Sequence, residues 1–406
     1  MTAYIYDALR TPRGIGRAPR DDKPGGGLSG FAPHELVAQL SDALMARNAG
    51  LETQAASLTL GCVGQIGAQG GHIALVSRLA SSLADHVTVK TLNNYCISGL
   101  TAVSSAAMSV QAGLSGLHLA GGVESLSAVG FLADKADYYS KPDMIQKLKW
   151  APPVMGAELM ATLDGFSKQD LDDLSLASHQ KAHAAWEAGH YDKSVMAVKN
   201  NDDSIALAHD ELIRPNLTAE KLAAMPPAFA ADGEKGFDAM MLAAYPELDA
   251  IEHVHSIGNC PGMADGAALV VVGDEQAGQA AGLTPMARIV AMQAASGDPV
   301  LQLGAGLQAL EQMLARTGHS IDDFTVIEFM EAFAAPPLKF LKDFNPDPNR
   351  VNVNGGHIAM GHPMGATGAI LITTLVHELN RQGGGLGLVV GQAAGGVGEA
   401  MIIETV

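Results

Sequence analysis

Cys96 is the residue of this chain whose setting points most directly to covalent chemistry. It lies in the stretch 86–99, HVTVKTLNNYCISG, where Val87 and Val89 alternate as a short strand and residues 97–113 carry the small and apolar spacing of a helix. A cysteine where a strand ends and a helix begins meets free N–H groups and a partial positive charge. Both favour the thiolate, which is the nucleophilic form. Ser98 and Gly99 are small and leave room for a bulky thioester. The plainer alternative is a small apolar residue packed under a helix, and Cys62, inside the apolar run 57–63, fits that description. Three further groups have titratable or nucleophilic chemistry in suggestive places. His357 and His362 lie in the Gly-rich run GGHIAMGHPMGATG (355–368), and Cys260 lies in the turn 259–262.

The elements that must position these groups are those of a large α/β protein. The chain has 406 residues, 48% hydrophobic and 17% charged, which is too long for one ordinary core and too apolar for disorder. A net charge of −18 excludes nucleic acid or an anionic membrane as a general partner. Three scattered cysteines with no CxxC pair make no disulfide framework, and the N-terminal MTAYIYDALRTPRG lacks the apolar core of a signal peptide, so a cytoplasmic location is expected. Residues 91–123 carry no charge, but their Ser, Gly and Asn content describes a buried central helix with flanking strands and not a membrane span.

Strands are expected at 3–7, 57–63, 87–89, 116–120, 267–272, 287–295, 324–329, 351–354 and 386–390. Helices are expected at 33–48, 72–83, 97–113, 169–189, 300–317 and 369–380. Residues 126–256 hold more charge, both Trp residues and irregular spacing, as in a cap over a core. An order of elements repeats. A strand, the Cys96 loop, a helix and a strand ending at Gly121-Gly122 match the strand 351–354, the His362 loop, a helix and a strand ending at Gly395-Gly396. Two similar α/β units, each giving one loop–helix junction to a shared site, are the reading.

Four landmarks resemble the thiolase family: Asn93-x-x-Cys96-x-Ser98-Gly99, GGVES at 121–125, GNCPGMADGAA at 258–268 and NVNGGHIAMGHPMGATGA at 352–369. The resemblance implies a five-layered αβαβα core of two repeated halves with an inserted loop domain. The halves would be 1–125, completed by 257–280, and 281–406, with the loop domain at 126–256. It implies a thiolase-type acyl-CoA C-acyltransferase of fatty acid metabolism that forms or cleaves 3-ketoacyl-CoA. Coenzyme A and acyl-CoA would be substrates, no cofactor would stay bound, and the protein would be a homodimer or homotetramer. Cys96 would carry the acyl group, His362 would act as its base, and the backbone N–H groups of Cys96 and Ala394 would form an oxyanion hole. Met155, Pro261, Gly395 and Gly396 would contact substrate.

This sequence departs from the family pattern at two catalytic positions. The second, acid/base cysteine of the family aligns with Gln392, which does not titrate, and the Asn that holds an oxyanion water aligns with Met330. Cys260 and His357 are the candidate replacement proton carriers. A zinc site from His357, His362 and a carboxylate matches no ligand spacing. The departures leave a second reading: a degenerate relative that binds or hydrolyses acyl-CoA thioesters, or serves as a non-catalytic subunit, without carbon–carbon chemistry.

Overall fold

The computed structural model describes residues 1–406; apart from a small ribbon of Val198–Lys199 with Ile205–Leu207, its strands form one continuous hydrogen-bonded path that divides into two sheets with the same internal order. In the first, β1 (Tyr4–Arg10), β2 (Ala55–Gly61), β3 (Thr88–Leu92), β4 (Leu117–Ser125) and β5 (Ala264–Gly273) lie in the order β3-β2-β4-β5-β1. β2 is parallel to β3 and β4, while β5 is antiparallel to both β4 and β1. In the second, β6 (Ala287–Ser296), β7 (Val326–Phe329), β8 (Leu386–Ala393) and β9 (Val397–Thr405) lie in the order β7-β8-β9-β6, with only β7 and β8 parallel. Val351 bridges in parallel to Ile327 on the free side of β7, the place β3 holds in the first sheet. Both halves therefore read third, second, fourth, fifth, first. They join where Tyr4 and Ile5 pair with Arg288 and Ala287.

Alternation along the strands builds the layers. Leu269 and Val271 of β5 pack outward with Leu36, Leu40 and Leu44 of α1 (Pro33–Arg47), while Ala268, Val270 and Val272 pack inward. On β9, Ala400 and Ile402 join the cluster of α6 (Ala305–Thr317), and Met401 and Ile403 turn to the centre. Between the sheets lie α3 (Ser98–Gln111) and α8 (Met364–Arg381). Outer helices, two sheets buried on both faces and a central helix pair make five layers. Every residue of α8 from Met364 to Leu379 is buried, so this helix is enclosed on all sides, with Thr367, Thr373, Thr374, His377 and Glu378 as its buried polar residues. No helix is long and apolar enough to cross a membrane.

Further helices are α2 (Ile73–Ala80), α4 (Pro153–Asp164), α5 (Lys168–Glu187) and α7 (Ala335–Phe344). Residues around Asp210 are pinned to β1 by a fully buried bidentate pair, Arg10 Nη1 and Nη2 to the Asp210 carboxylate at 2.7 and 2.8 Å, joined by the Arg13 N–H at 2.8 Å and the Trp186 Nε1–H at 3.2 Å.

Four elements differ from their sequence expectations. β4 runs on to Ser125, so Gly121 and Gly122 lie within the strand, while Gly395 and Gly396 form the β8–β9 turn. The strand expected at 351–354 shrinks to the Val351 bridge, because Asn352 turns at φ 44° and spends its side chain on the backbone N–H and C=O of Phe329. The helix expected from 300 starts at Ala305, after Gln302 at φ 62°. α8 starts at Met364, inside the run read as loop. Its glycines serve packing: a Cβ on Gly99 would fall 2.9 Å from the Ala369 backbone N, and one on Gly368 would collide with the Leu100 backbone.

Gly368→Ala is expected to overpack this contact and destabilise the fold by about 1–3 kcal/mol. Gly30→Ala, where nothing lies within 4 Å, is the control. Thermal midpoints of the two variants check this, with only the first expected to fall by several degrees.

Candidate active site

The turn that carries Cys96 is locked by its neighbours. Tyr95 sits at φ 47°, in the left-handed region, and its N–H donates to Asn93 Oδ1 at 2.9 Å. Ser98 Oγ accepts the Asn94 N–H at 2.8 Å and donates to the Tyr95 carbonyl at 2.6 Å. Strain held by three local hydrogen bonds fixes where the half-buried sulfur points. Cys96 lies two residues before the first residue of α3. The expectation of a thiolate there is corrected by the surroundings. Burial, followed by the Glu124 carboxylate, pushes the Cys96 thiol up to about 12, and the residue's own N–H offsets only part of that.

His362 precedes α8 as Cys96 precedes α3. Its backbone N–H donates to the Gly262 carbonyl at 2.9 Å, which fastens the His362 loop to the loop carrying Cys260 and Pro261. Its Nδ1 lies 2.9 Å from Thr367 Oγ1, one turn into α8, and Nε2 has no protein partner. Burial first, then Arg13, whose Nη1 donates to the Gly361 carbonyl at 3.1 Å, pushes the imidazole down to about 3. Thiol and imidazole are both neutral at rest.

The two groups line one cavity of about 290 Å³ with Cys260, Pro261, Phe333 and Ala394. Cys96, Cys260 and His362 are its only titratable lining side chains. No backbone carbonyl accepts from the N–H groups of Cys96 and Ala394. Ala394 begins a turn in which Gly395 and Gly396 take φ 75° and 72°. Gln302 holds this turn, accepting the Gly395 N–H on Oε1 at 2.7 Å and the Gly396 N–H on its carbonyl at 3.0 Å. A second cavity, of about 210 Å³, meets the first at Cys96, Phe131, Pro153, Met364 and Ala394. Its lining includes five aromatic residues, Tyr95, Phe131, Tyr138, Tyr139 and Trp150.

Other residues singled out by the sequence fall elsewhere. Met155 does not line either cavity. Its position on α4 turns it into a core with Met241, Ile251 and Val300, and Pro153 and Val154 face the cavity instead. Gly156 lets α4 pass close to Leu301 and Gln302. Gln392 is fully buried, lines neither cavity, and has no partner for either amide atom. It lies on the side of β8 that meets α6, where a Cβ on Gly306 would come within 3.2 Å of it. Met330 is buried in the central core. His357 stands behind His362, ring centroids 5.7 Å apart, outside the cavity. Burial and then Arg13 hold it well below its ordinary value, so it does not serve as a cationic acid.

Two residues central to the geometry escaped the sequence reading. Glu124, visible only as a letter in GGVES, is fully buried and accepts from the N–H groups of Val63, Gly64 and Gly365 at 2.9–3.0 Å and from Gln69 Nε2 at 2.7 Å. It ties the turn after β2 to the start of α8. Gln302 has no motif signal at all.

A neutral resting thiol fixes the pH response. Deprotonation, and so alkylation of Cys96 by iodoacetamide, is expected to rise about tenfold per pH unit from 7 to beyond 9 with no plateau near pH 6. Intact mass against time at each pH checks this; a plateau below pH 7 would show a preformed thiolate–imidazolium pair.

The comparisons with known proteins agree over the whole chain. The family models "Thiolase, N-terminal domain" and "Thiolase, C-terminal domain" match residues 4–236 and 283–405. A β-ketoadipyl-CoA thiolase of Escherichia coli is 35% identical, over 100% of this chain and 99% of its own. A steroid 3-ketoacyl-CoA thiolase of Mycobacterium tuberculosis is 32% identical over 99% and 94%. The crystal structure of the Bacillus anthracis acetyl-CoA acetyltransferase superposes with a TM-score of 0.83 at 30% identity, covering 100% of this chain and 99% of that one. Matched in both halves and along its full length, the chain belongs to the thiolase family of acyl-CoA C-acyltransferases.

Proposed function

We propose that Cys96 carries the acyl group, His362 takes its proton, and Cys260 replaces the missing second cysteine. The observation that carries this is the shared cavity, in which these three are the only titratable side chains. In the cleavage direction Cys96 Sγ attacks C3 of a 3-ketoacyl-CoA while its proton passes to His362 Nε2. The unpaired N–H groups of Cys96 and Ala394 receive the developing oxyanion. The C2–C3 bond breaks, the acyl group stays on sulfur, and the acetyl-CoA enolate takes a proton at C2 from the Cys260 thiol. Coenzyme A then attacks the acyl carbonyl. Its thiol proton returns to Cys260, and the leaving Cys96 thiolate recovers its proton from His362.

Cys260 suits the acid role. Its Sγ lies 3.4 Å from the Ser256 carbonyl as a donor, and burial, then Glu158, raises its pKa, so it holds its proton at rest. Because Met330 has no hydrogen-bond donor and lies in the core, the enolate oxygen is assigned His362 as its side-chain donor, with the Cys260 thiol serving C2.

Coarser features of the reading rest on the family. Coenzyme A and acyl-CoA thioesters are the substrates, no permanent cofactor is needed, and the protein works in the cytoplasm. The halves are 1–125 with 257–280 and 281–406, with 126–256 as the loop domain over the site. A homodimer or homotetramer is supported by the outer edge of β3, a free sheet edge with residues alternating exposed and half-buried that a second copy can pair.

Incubation with acetyl-CoA is expected to add an acetyl group by intact mass, absent in Cys96→Ala. Cys260→Ala should still acetylate but lose thiolysis of a 3-ketoacyl-CoA by about 10²-fold or more, the usual worth of a positioned acid–base group. Thiolysis within threefold of wild type in that variant would exclude Cys260. Acetylation of the wild type without any thiolysis would favour acyl transfer to water or another acceptor.

A further inference from the structure

Two cavities meet at Cys96, and they differ in chemistry. The larger holds His362 and Cys260. The smaller is walled by Tyr95, Phe131, Tyr138, Tyr139 and Trp150, and its only charged lining group is Asp134. Trp150 is held edge-on by Phe237 at 6.0 Å and packs on Tyr139 at 5.8 Å, so these walls are braced. Tyr139 donates its hydroxyl to the Asp134 carboxylate.

A 3-ketoacyl-CoA held with its C3 oxygen on the Cys96 and Ala394 N–H groups extends two arms from C3. Carbon C2 and the coenzyme form one arm. The groups that move the C2 proton line the larger cavity, so that arm lies there. The other arm, the acyl tail, then enters the aromatic cavity. From this geometry we infer that the enzyme's substrate is a 3-ketoacyl-CoA whose acyl tail is an uncharged, single-ring group of aryl type. The inference rests on the roles proposed for Cys96, His362 and Cys260.

Size and charge both select this class. A cavity of about 150 Å³ lined by apolar side chains holds benzene. At about 210 Å³ this one has room for a single ring with a few further heavy atoms. Aromatic walls gain from ring–ring contact beyond the area they bury. No Lys, Arg or His lines the cavity, so a tail ending in a carboxylate finds no cation and meets Asp134 instead. A β-ketoadipyl tail is of that disfavoured kind, although a relative named for it shares 35% identity.

The test is thiolysis by the full-length enzyme of 3-oxo-3-phenylpropanoyl-CoA, 3-oxohexanoyl-CoA and 3-oxoadipyl-CoA, compared by kcat/KM. Cleavage of the first leaves a benzoyl group on Cys96 and releases acetyl-CoA; coenzyme A then carries the benzoyl group away. The phenyl substrate is expected to exceed the hexanoyl by at least tenfold and the adipyl by at least a hundredfold. Trp150→Ala should lower the phenyl-to-hexanoyl ratio tenfold, and Asp134→Arg, at an exposed position, should raise the adipyl-to-phenyl ratio tenfold. A preference for the adipyl substrate, or ratios unmoved by both variants, would overturn the inference. Acetylation of Cys96 is read by mass on the same samples. If it occurs without aryl preference, the inference alone fails. If it does not occur, the catalytic roles fail and the inference falls with them.

Discussion

The close approach of two buried helices, α3 and α8, is the constraint on which the rest of this structure depends. Each follows the third strand position of its half, and each is sandwiched between the same two sheets. Their N-terminal ends meet where Gly99 and Gly368 leave room for backbone against backbone. Cys96 and His362 are the residues just before those ends. A repeated α/β unit that packs its copies across these helices therefore brings a cysteine from one half and a histidine from the other to the wall of a single cavity.

Burial at that point has an electrostatic consequence. Helix N-termini favour anions, but desolvation of the Cys96 sulfur, with the Glu124 charge added, outweighs that preference. The same burial, with Arg13 behind it, keeps His362 neutral. In the proposed mechanism, proton transfer from sulfur to nitrogen then belongs to the attack itself, when the substrate oxygen gains the Cys96 and Ala394 N–H groups. Glu124 is the counterpart of this arrangement. It is costly to bury, yet four donors from three segments converge on it, so its main effect is to hold the turn after β2 against the start of α8.

What the sequence made legible was local. Cys96, His362 and the Gly-patterned runs around them are contiguous, and the strands with two-residue alternation were placed within a few residues. What escaped it depends on direction or on long-range contact. Met155 and Gln392 are neighbours of cavity residues along the chain, but α4 turns Met155 inward and β8 turns Gln392 toward α6. One step along a helix or strand reverses a side chain's role, and alignment by glycines does not see that step. Gln302 sits in apolar spacing that reads as helix, and only its positive φ and its two bonds to the 394–396 turn reveal its part. The aromatic cavity is drawn from residues 95 and 131–150, which share no period.

The position of Gln392 also changes how the loss of the second cysteine is understood. Were the glutamine facing Cys96, it would be a polar replacement for a proton carrier, offering hydrogen bonds without titration. Facing away, it leaves no vacancy for an amide to fill, and the cavity keeps one spare thiol, that of Cys260, on the loop that also receives the His362 N–H. In the proposed mechanism a thiol on that loop approaches the reacting carbon from the coenzyme side, not from the β8–β9 turn. The backbone donor of that turn, at Ala394, is kept by geometry alone, since Gln302 fixes the two glycines that follow it. The oxyanion function can thus persist while the proton function moves, because the first depends on main chain held from behind and the second on a side chain that any wall of the cavity can supply.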